Sequence, residues 1–506
     1  HNISILLAKE KVMITRIKIN GFKSLIDSEL YFGPFTCIVG ANAIGKSNFF
    51  DALTFLSNLA DKTIIEAIKS VRSENQKHSN IRDIFFKSGD AYMSKMTFEV
   101  DMLIPKFGID DLGQNAEATI TSLRYKLTLE LNNEIADSEP VRILREELEP
   151  VTLSDTRNNL RFSFKKEWIN SILEGRRSTR TPFISTEGEK IKLHQDGNKG
   201  RTTDFIAQKM PRTLLSTVTS ESPTAFLARQ EMRNWMMLQL EPSALRQPNS
   251  IYEVKNAEIR ANGLNLPATL YRLQSEKKDK DVYQTLTNKL SELVDNIDLI
   301  SIDKDDKRDL LTLQIQFKDG LVLPAQSLSD GTLRFLGLAI IEQDNTGSRL
   351  ICLEEPENGI NPKKIYEMID LLEGMATDTD CAVDDDNPLR QVIVNTHSPI
   401  VVSCVPDESL YLAKGKEIFS EEFNRKIQIT GFSAMYETWK TRHHLAEVSS
   451  KGEILVYLDK TIFENTQSNF MVSETESAYK KPISSSKRRT VAENIIQTSL
   501  DFDFNK

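Results

Sequence analysis

The chain has 506 residues, 39% of them hydrophobic and 27% charged, with a formal net charge of −9. That length exceeds what one simple core organises, so two or three lobes are expected. The acidic balance excludes a protein whose whole surface grips nucleic acid and leaves room only for a local basic patch.

In chain order, residues 1–12 are expected to be an upstream segment ahead of Met13, with no part in the site. Their apolar run, 3–8, is too short and has no basic leader for a signal peptide. No apolar run elsewhere reaches membrane-spanning length, so a cytoplasmic protein with no membrane partner is expected. A strand is predicted over 14–19 and another over Phe35–Val39. The second runs into Gly40-Ala41-Asn42-Ala43-Ile44-Gly45-Lys46-Ser47-Asn48, a G-x4-G-K-S loop that opens a helix from Gly45. Its glycines let successive N–H groups turn inward toward phosphate oxygens, and the helix adds the positive end of its dipole. Lys46 then reaches the β- and γ-phosphates and Ser47 ligates Mg²⁺, which points to a bound nucleoside triphosphate.

Alternating patterns over 96–165, such as 124–130, predict strands. Residues 166–202 are polar and basic around a hairpin, with Arg176, Arg177, Arg180, Lys190, Lys192, Lys199 and Arg201. This is the best nucleic-acid candidate, although the lack of interleaved aromatics favours a solvated loop. Helical periodicity fills 203–298, including 226–240 and 282–297, without a sustained heptad array. Strands return at Leu310–Phe317 and 321–323. Leu328-Ser329-Asp330-Gly331-Thr332 then precedes a helical run over 333–341 and sets a hydroxyl and a glycine backbone at a helix start. The apolar strand 350–353 ends in Glu354-Glu355-Pro356, the placement of a Mg²⁺-associated acid followed by a general base. The strand 392–394 delivers Asn395-Thr396-His397-Ser398 to the same sheet edge. Cys37, Cys352, Cys381 and Cys404 have no C-x2-C spacing and read as buried, reduced thiols. Helical patterns are expected around 432–446 and 453–464. Residues 473–490 are rich in Ser, Lys and Glu and are expected to be disordered alone, and 491–504 reads equally as a docking segment or a frayed end.

The order of G-x4-G-K-S, L-S-x-G, strand plus Glu and strand plus His resembles the ABC-type ATPase head. That resemblance implies an α/β fold: a mixed sheet with flanking helices and an antiparallel β layer, a helical insertion and a partly disordered tail. It implies that Gly40, Asn42, Gly45, Lys46, Ser47 and Asn48 cradle ATP, that Ser47 and Glu354 hold Mg²⁺, and that Glu355 polarises the attacking water. It further implies that His397 senses the γ-phosphate. In this family the signature of one head completes the site of another, so Ser329 and Gly331 would contact the opposite protomer's nucleotide in a head-to-head dimer, open to further oligomerisation. Asn358-Gly359-Ile360-Asn361 occupies the D-loop position. Two departures stand out: Glu354 replaces the usual Asp, and no Q-loop glutamine is fixed between Ser47 and Phe98, where Gln76 is a poor candidate. Slow hydrolysis is therefore expected.

Ile17-Lys18-Ile19-Asn20-Gly21-Phe22-Lys23-Ser24 resembles the F-K-S strand of the RecF/OLD/SMC-like branch, and Asn42 and Asn48 match its G-x-N-x-x-G-K-S-N loop. Glu241-Pro242-Ser243-Ala244-Leu245-Arg246 and Gly263-Leu264-Asn265-Leu266-Pro267-Ala268-Thr269-Leu270 resemble stretches of RecF-like ATPases. The likeness spans 13–412. The expected divisions are a first head segment (13–165), the basic hairpin (166–202), the helical insertion (203–298), a second head segment (299–412), a helical region (413–472) and a tail (473–506). OLD-type enzymes carry a nuclease domain after the histidine motif. Too little chain follows Leu412 for one here, and Asp384-Asp385-Asp386 reads as a solvated loop.

A head of this branch with a compact insert, no nuclease and a docking tail resembles the PtuA-like ATPases of Septu and retron-associated antiphage systems. That resemblance implies an ATPase that regulates a separate HNH nuclease (PtuB-like) and, in retron versions, joins a reverse transcriptase and its RNA–DNA product. The competing reading is a RecF-like DNA repair or replication ATPase that binds DNA when dimerised. A transporter subunit is disfavoured by the F-K-S strand, the long insert and the missing Q-loop.

Overall fold

The computed structural model describes residues 13–450 and Glu453, apart from 72–79, 111, 133–139, 176–180, 196–201, 278–280, 345–349 and 385. All five residues of the strand Phe35–Val39 are buried. An apolar run of this kind suits a central parallel strand covered on both faces. Ile38 enters one core, while Cys37 and Val39 enter the other. The strand lies at the middle of a seven-stranded sheet whose order is Met236–Leu238, Leu350–Glu354, Gln391–Thr396, Phe35–Val39, Leu410–Ser420, Arg425–Met435 and Glu447–Ser449. The first five strands are mutually parallel, so their carboxyl ends share one edge, where open α/β sheets bind ligands. Register does the rest: Glu354 pairs with Asn395 and Thr396 with Val39, which brings three motifs to one level.

On one face the helix Lys46–Leu59 packs between this sheet and an eight-stranded antiparallel sheet. Its order is Thr203–Ile206, Lys190–Leu193, Ile184–Glu187, Val141–Pro150, Ser122–Leu131, Lys95–Leu103, Met13–Asn20 and Ser28–Tyr31. Phe22, fully buried, stacks on Phe55 of that helix at 5.8 Å and meets Phe98 of the antiparallel sheet edge-on at 5.7 Å, so one side chain joins three elements. The opposite face carries the helices Leu266–Glu276, Val282–Leu293, Asp330–Gln343 and Ile365–Met375.

Three expectations are corrected. Residues 432–446 do not form one helix: Arg425–Met435 is a strand, followed by the four-residue helix Trp439–Arg442 and the strand Glu447–Ser449. Phe432, Met435 and Trp439 fall at helical spacing, but a long antiparallel pairing, from Tyr411–Ala434 to Ser420–Arg425, overrides it. The described part of 413–472 is thus a hairpin that widens the ATPase sheet. Within 203–298, Met236–Leu238 is a strand at the edge of that same sheet, so the insertion is interrupted by a piece of the head. Among the cysteines, Cys37 and Cys352 are buried, but Cys404 is half-buried and Cys381 is exposed. The segment 453–464, beyond Glu453, and the tail 473–506 lie outside the described residues.

Glu146, on the strand Val141–Pro150, has no exposed surface. It accepts hydrogen bonds from the backbone N–H groups of Leu214 and Leu215 at 2.6 and 2.8 Å, fastening that turn to the sheet. Burial pushes its carboxyl up to about 7 despite those donors. An acid whose folded pKa is raised keeps its proton while the unfolded chain has released it. Stability from this group is therefore intact below pH 4.5 and declines as pH rises through 7. Glu146→Gln should remove that dependence. In urea titrations the stability difference between variant and wild type should move by about 3 kcal/mol in the variant's favour from pH 4.5 to pH 8.

Candidate nucleotide site

Gly45 caps the helix Lys46–Leu59 with φ 99°, in the left-handed region that glycine tolerates, and Ala43 beside it has φ 62°. This turn brings Lys46 back under its own loop. Lys46 is only 6% exposed, and its ammonium donates to the carbonyls of Gly40 at 2.6 Å and Ala41 at 2.9 Å. Burial lowers its pKa, and Glu355, Glu354 and Glu357 oppose that shift. A cation held among its own loop's carbonyls at the base of a cleft suits a phosphate group.

The cleft above it holds about 600 Å³ and is lined by Asn42, Gly45, Lys46, Ser47 and Asn48 from the loop, with Glu354, Glu355, Asn358 and Asn395 from the neighbouring strand ends. Glu354 Oε1 accepts from Asn395 Nδ2 at 3.1 Å. Glu355 has φ 46° and its N–H donates to the Asn395 carbonyl at 2.9 Å, which turns the side chain away from the strand line. Its carboxylate meets His397 Nδ1 at 2.7 Å and accepts from Asn358 Nδ2 at 3.0 Å. His397 therefore reaches the site through Glu355; it is not among the cleft-lining residues. Glu357, 8% exposed, is bonded to the Thr396 hydroxyl, and burial raises its pKa.

Two cleft residues escaped the sequence reading. Gln239 follows the edge strand Met236–Leu238, whose pairing of Leu238 with Leu353 carries it to the level of Glu354. It lies far beyond the window between Ser47 and Phe98 because the antiparallel sheet intervenes. The signal was a short apolar run, 236–238, ending in Gln and hidden at the end of a helical pattern. Gln76 lies outside the described residues. Arg334, one turn into the helix Asp330–Gln343, also lines the cleft and donates to the Asn358 carbonyl at 2.6 Å. Ser47, Glu354 and Gln239 together offer only oxygen ligands, which suits Mg²⁺ with water and phosphate completing its shell. Among the described residues no group of three or more His, Cys, Asp or Glu could hold an ion without such help.

Ser329 and Gly331 stand apart. Ser329 caps the helix Asp330–Gln343 by accepting from Thr332 N–H at 3.2 Å, is exposed, and is not among the residues lining the cleft. Gly331 packs so closely on the Gly359 carbonyl that a Cβ would collide with it. In the basic hairpin, Lys192 pairs with Glu187 at 2.5 Å and Lys190 approaches Asp204 at 3.5 Å. Arg176, Arg177, Arg180, Lys199 and Arg201 lie outside the described residues.

The sheet, loop and cleft define a P-loop ATPase head. Residues 35–403 match the family described as "AAA domain, putative AbiEii toxin, Type IV TA system", and the chain belongs to that family. Membership implies ATP binding. No curated protein matches the chain. Solved structures with some similarity include an Smc head bound to the C-winged helix domain of ScpA (12% identity, 84% of this chain and 98% of that one, TM-score 0.43). Another is a Pyrococcus furiosus Smc head with an extended coiled coil bound to the C-terminal domain of ScpA (12% identity, 86% and 99%, TM-score 0.43). A third is the SMC head domain from Thermotoga maritima (12% identity, 83% and 98%, TM-score 0.33). Among the described residues no helix is long and apolar enough to cross a membrane.

Replacing Lys46 with Ala removes the loop's charge-assisted donors. ATP affinity, read by titration with a fluorescent analogue, should fall on the order of 10²-fold with the fold intact by circular dichroism.

Proposed function

We propose that this chain is an ATP-switched head of the RecF/OLD-like kind that pairs with a second copy through composite nucleotide sites and thereby controls a separate effector. The observation that carries this is the position of Ser329: a helix-capping hydroxyl, exposed and outside the chain's own cleft, at the start of a helix whose second residue, Gly331, is buried against the Gly359 carbonyl. A second protomer's nucleotide is the natural partner for it. ATP then binds the paired state with contacts the open state lacks, which is the differential affinity a switch requires.

Within each site Lys46 and the loop N–H groups hold the phosphates. Ser47 and Glu354, with Gln239 beside them, are placed to hold Mg²⁺, which when bound neutralises phosphate charge. Glu355 is the general base: its carboxylate, oriented by Asn358 and His397, takes the proton of the attacking water. His397 senses the γ-phosphate side of the site through that bond. Arg334 ties the signature helix to the D-loop carbonyl of Asn358, so the two trans-facing segments move together.

The effector reading follows the sequence resemblance: a PtuA-like regulator of an HNH nuclease in antiphage defence, with a reverse transcriptase and its RNA–DNA product in a retron version. The alternative is a RecF-like DNA-binding ATPase; among the described residues of the basic hairpin, Lys190 and Lys192 lie against Asp204 and Glu187. Mass spectrometry of nuclease-treated and untreated native purifications separates them. An HNH protein in both supports the first; a lone chain that binds DNA with ATP and steep salt dependence supports the second.

Two variants test the switch. Glu355→Gln should slow hydrolysis ~10²–10⁴-fold while leaving ATP bound and the dimer longer-lived in size-exclusion chromatography. Ser329→Arg should bind ATP normally yet remain monomeric with ATP; unchanged dimerisation would sink the composite-site reading.

A further inference from the structure

The F-K-S segment and the hairpin Leu410–Ser420/Arg425–Met435 converge on the phosphate loop from outside the nucleotide cleft, and neither is accounted for by nucleotide contact. Lys23 forms an ion pair with Asp51 of the loop's helix at 2.7 Å. Ser24 Oγ accepts from Asn48 Nδ2 at 2.7 Å and lies 2.6 Å from Thr430 Oγ1. Thr430, 1% exposed on the hairpin's second strand, donates through Oγ1 to the Ile44 carbonyl at 2.8 Å, and its N–H donates to the Ser24 carbonyl at 3.0 Å. A Cβ on Gly45 would collide with Thr430 Oγ1 and lie 2.5 Å from Ser24 Oγ, so the two hydroxyls rest directly on the turn that presents Lys46. The hairpin's first strand does the same at the loop's start, where a Cβ on Gly40 would meet the Ala413 carbonyl at 2.6 Å.

We infer that Ser24 and Thr430 are positioning residues for ATP binding: a pair of hydroxyls, one half-buried and one buried, that fixes the Ile44–Gly45 turn in its phosphate-accepting shape and ties it to the C-terminal hairpin. Ala43, at φ 62°, is in a left-handed conformation that a non-glycine residue holds only if its surroundings over-determine it, and Gly45 two residues on leaves no room for a side chain. Thr430 supplies the decisive bond, because the Ile44 carbonyl is the last acceptor before the turn. Asn48 then has a structural meaning as well as a cleft-lining one: its amide anchors Ser24 from the helix side. The consequence is reciprocal. A partner that shifts the hairpin alters ATP affinity, and ATP stiffens the hairpin for a partner.

This inference rests on the nucleotide reading, and the experiment separates the two. Wild type, Lys46→Ala, Thr430→Val and Thr430→Ser are compared in the full chain for ATP analogue affinity, for KM and kcat, and for melting of the nucleotide-free protein. Thr430→Val, which keeps the side-chain shape and removes the hydroxyl, should bind ATP roughly tenfold more weakly. KM should rise with little change in kcat, the pattern of lost uniform binding. Thr430→Ser should restore both. Wild-type affinity in Thr430→Val overturns the brace alone. Equal loss in the Val and Ser variants also overturns it, since packing of the methyl rather than the hydroxyl would then be responsible. A wild type that binds no better than Lys46→Ala overturns the nucleotide reading and the brace with it.

Discussion

A buried ammonium organises this head. Lys46 follows the central strand with its side chain largely buried at the base of the cleft, and a cation there is stabilised by oxygen acceptors and nearby negative charge. The loop's carbonyls supply the first, and the cluster Glu354, Glu355 and Glu357 supplies the second. Each of these glutamates arrives on or just after one strand, and that strand is held in register by Gln391–Thr396 beside it. The parallel sheet therefore exists, in energetic terms, as the frame that keeps one positive and three negative groups at workable separation. A bound phosphate would add negative charge to this balance at the loop, which is the local event the proposed switch needs.

The two cores divide the labour. One couples the phosphate-loop helix to the antiparallel sheet through Phe22, Phe55 and Phe98. The other couples the signature helix and the two insert helices to the opposite face. The helix Asp330–Gln343, which Ser329 caps, packs on Leu266–Glu276 and Val282–Leu293, so a displacement of it would be transmitted to these insertion helices. The Arg334 bond to Asn358 adds a polar link at the same place.

Much of the site was legible because its chemistry demands particular residues at particular offsets. The G-x4-G-K-S loop, the Glu pair after an apolar strand and the histidine after the next strand all occur at strand ends, and short apolar runs such as Leu350–Glu354 announce such strands directly. The hairpin Leu410–Met435 was misread because Phe432, Met435 and Trp439 fit a helical period as well as they fit a strand, and only pairing with a distant segment decides between them. Gln239 was missed for a related reason: a three-residue edge strand carries too little periodicity to stand out inside a helical stretch.

By itself the sequence determined the nucleotide loop, the acidic pair, the signature and their order, since each is a local pattern whose chemistry depends on near neighbours. Tertiary structure alone decided that Gln239 joins Glu354, that Thr430 rests on Gly45 some 385 residues away, and that Ser329 faces outward from its own cleft. Those placements are set by strand order and register in the sheet, which are long-range properties no local spacing encodes.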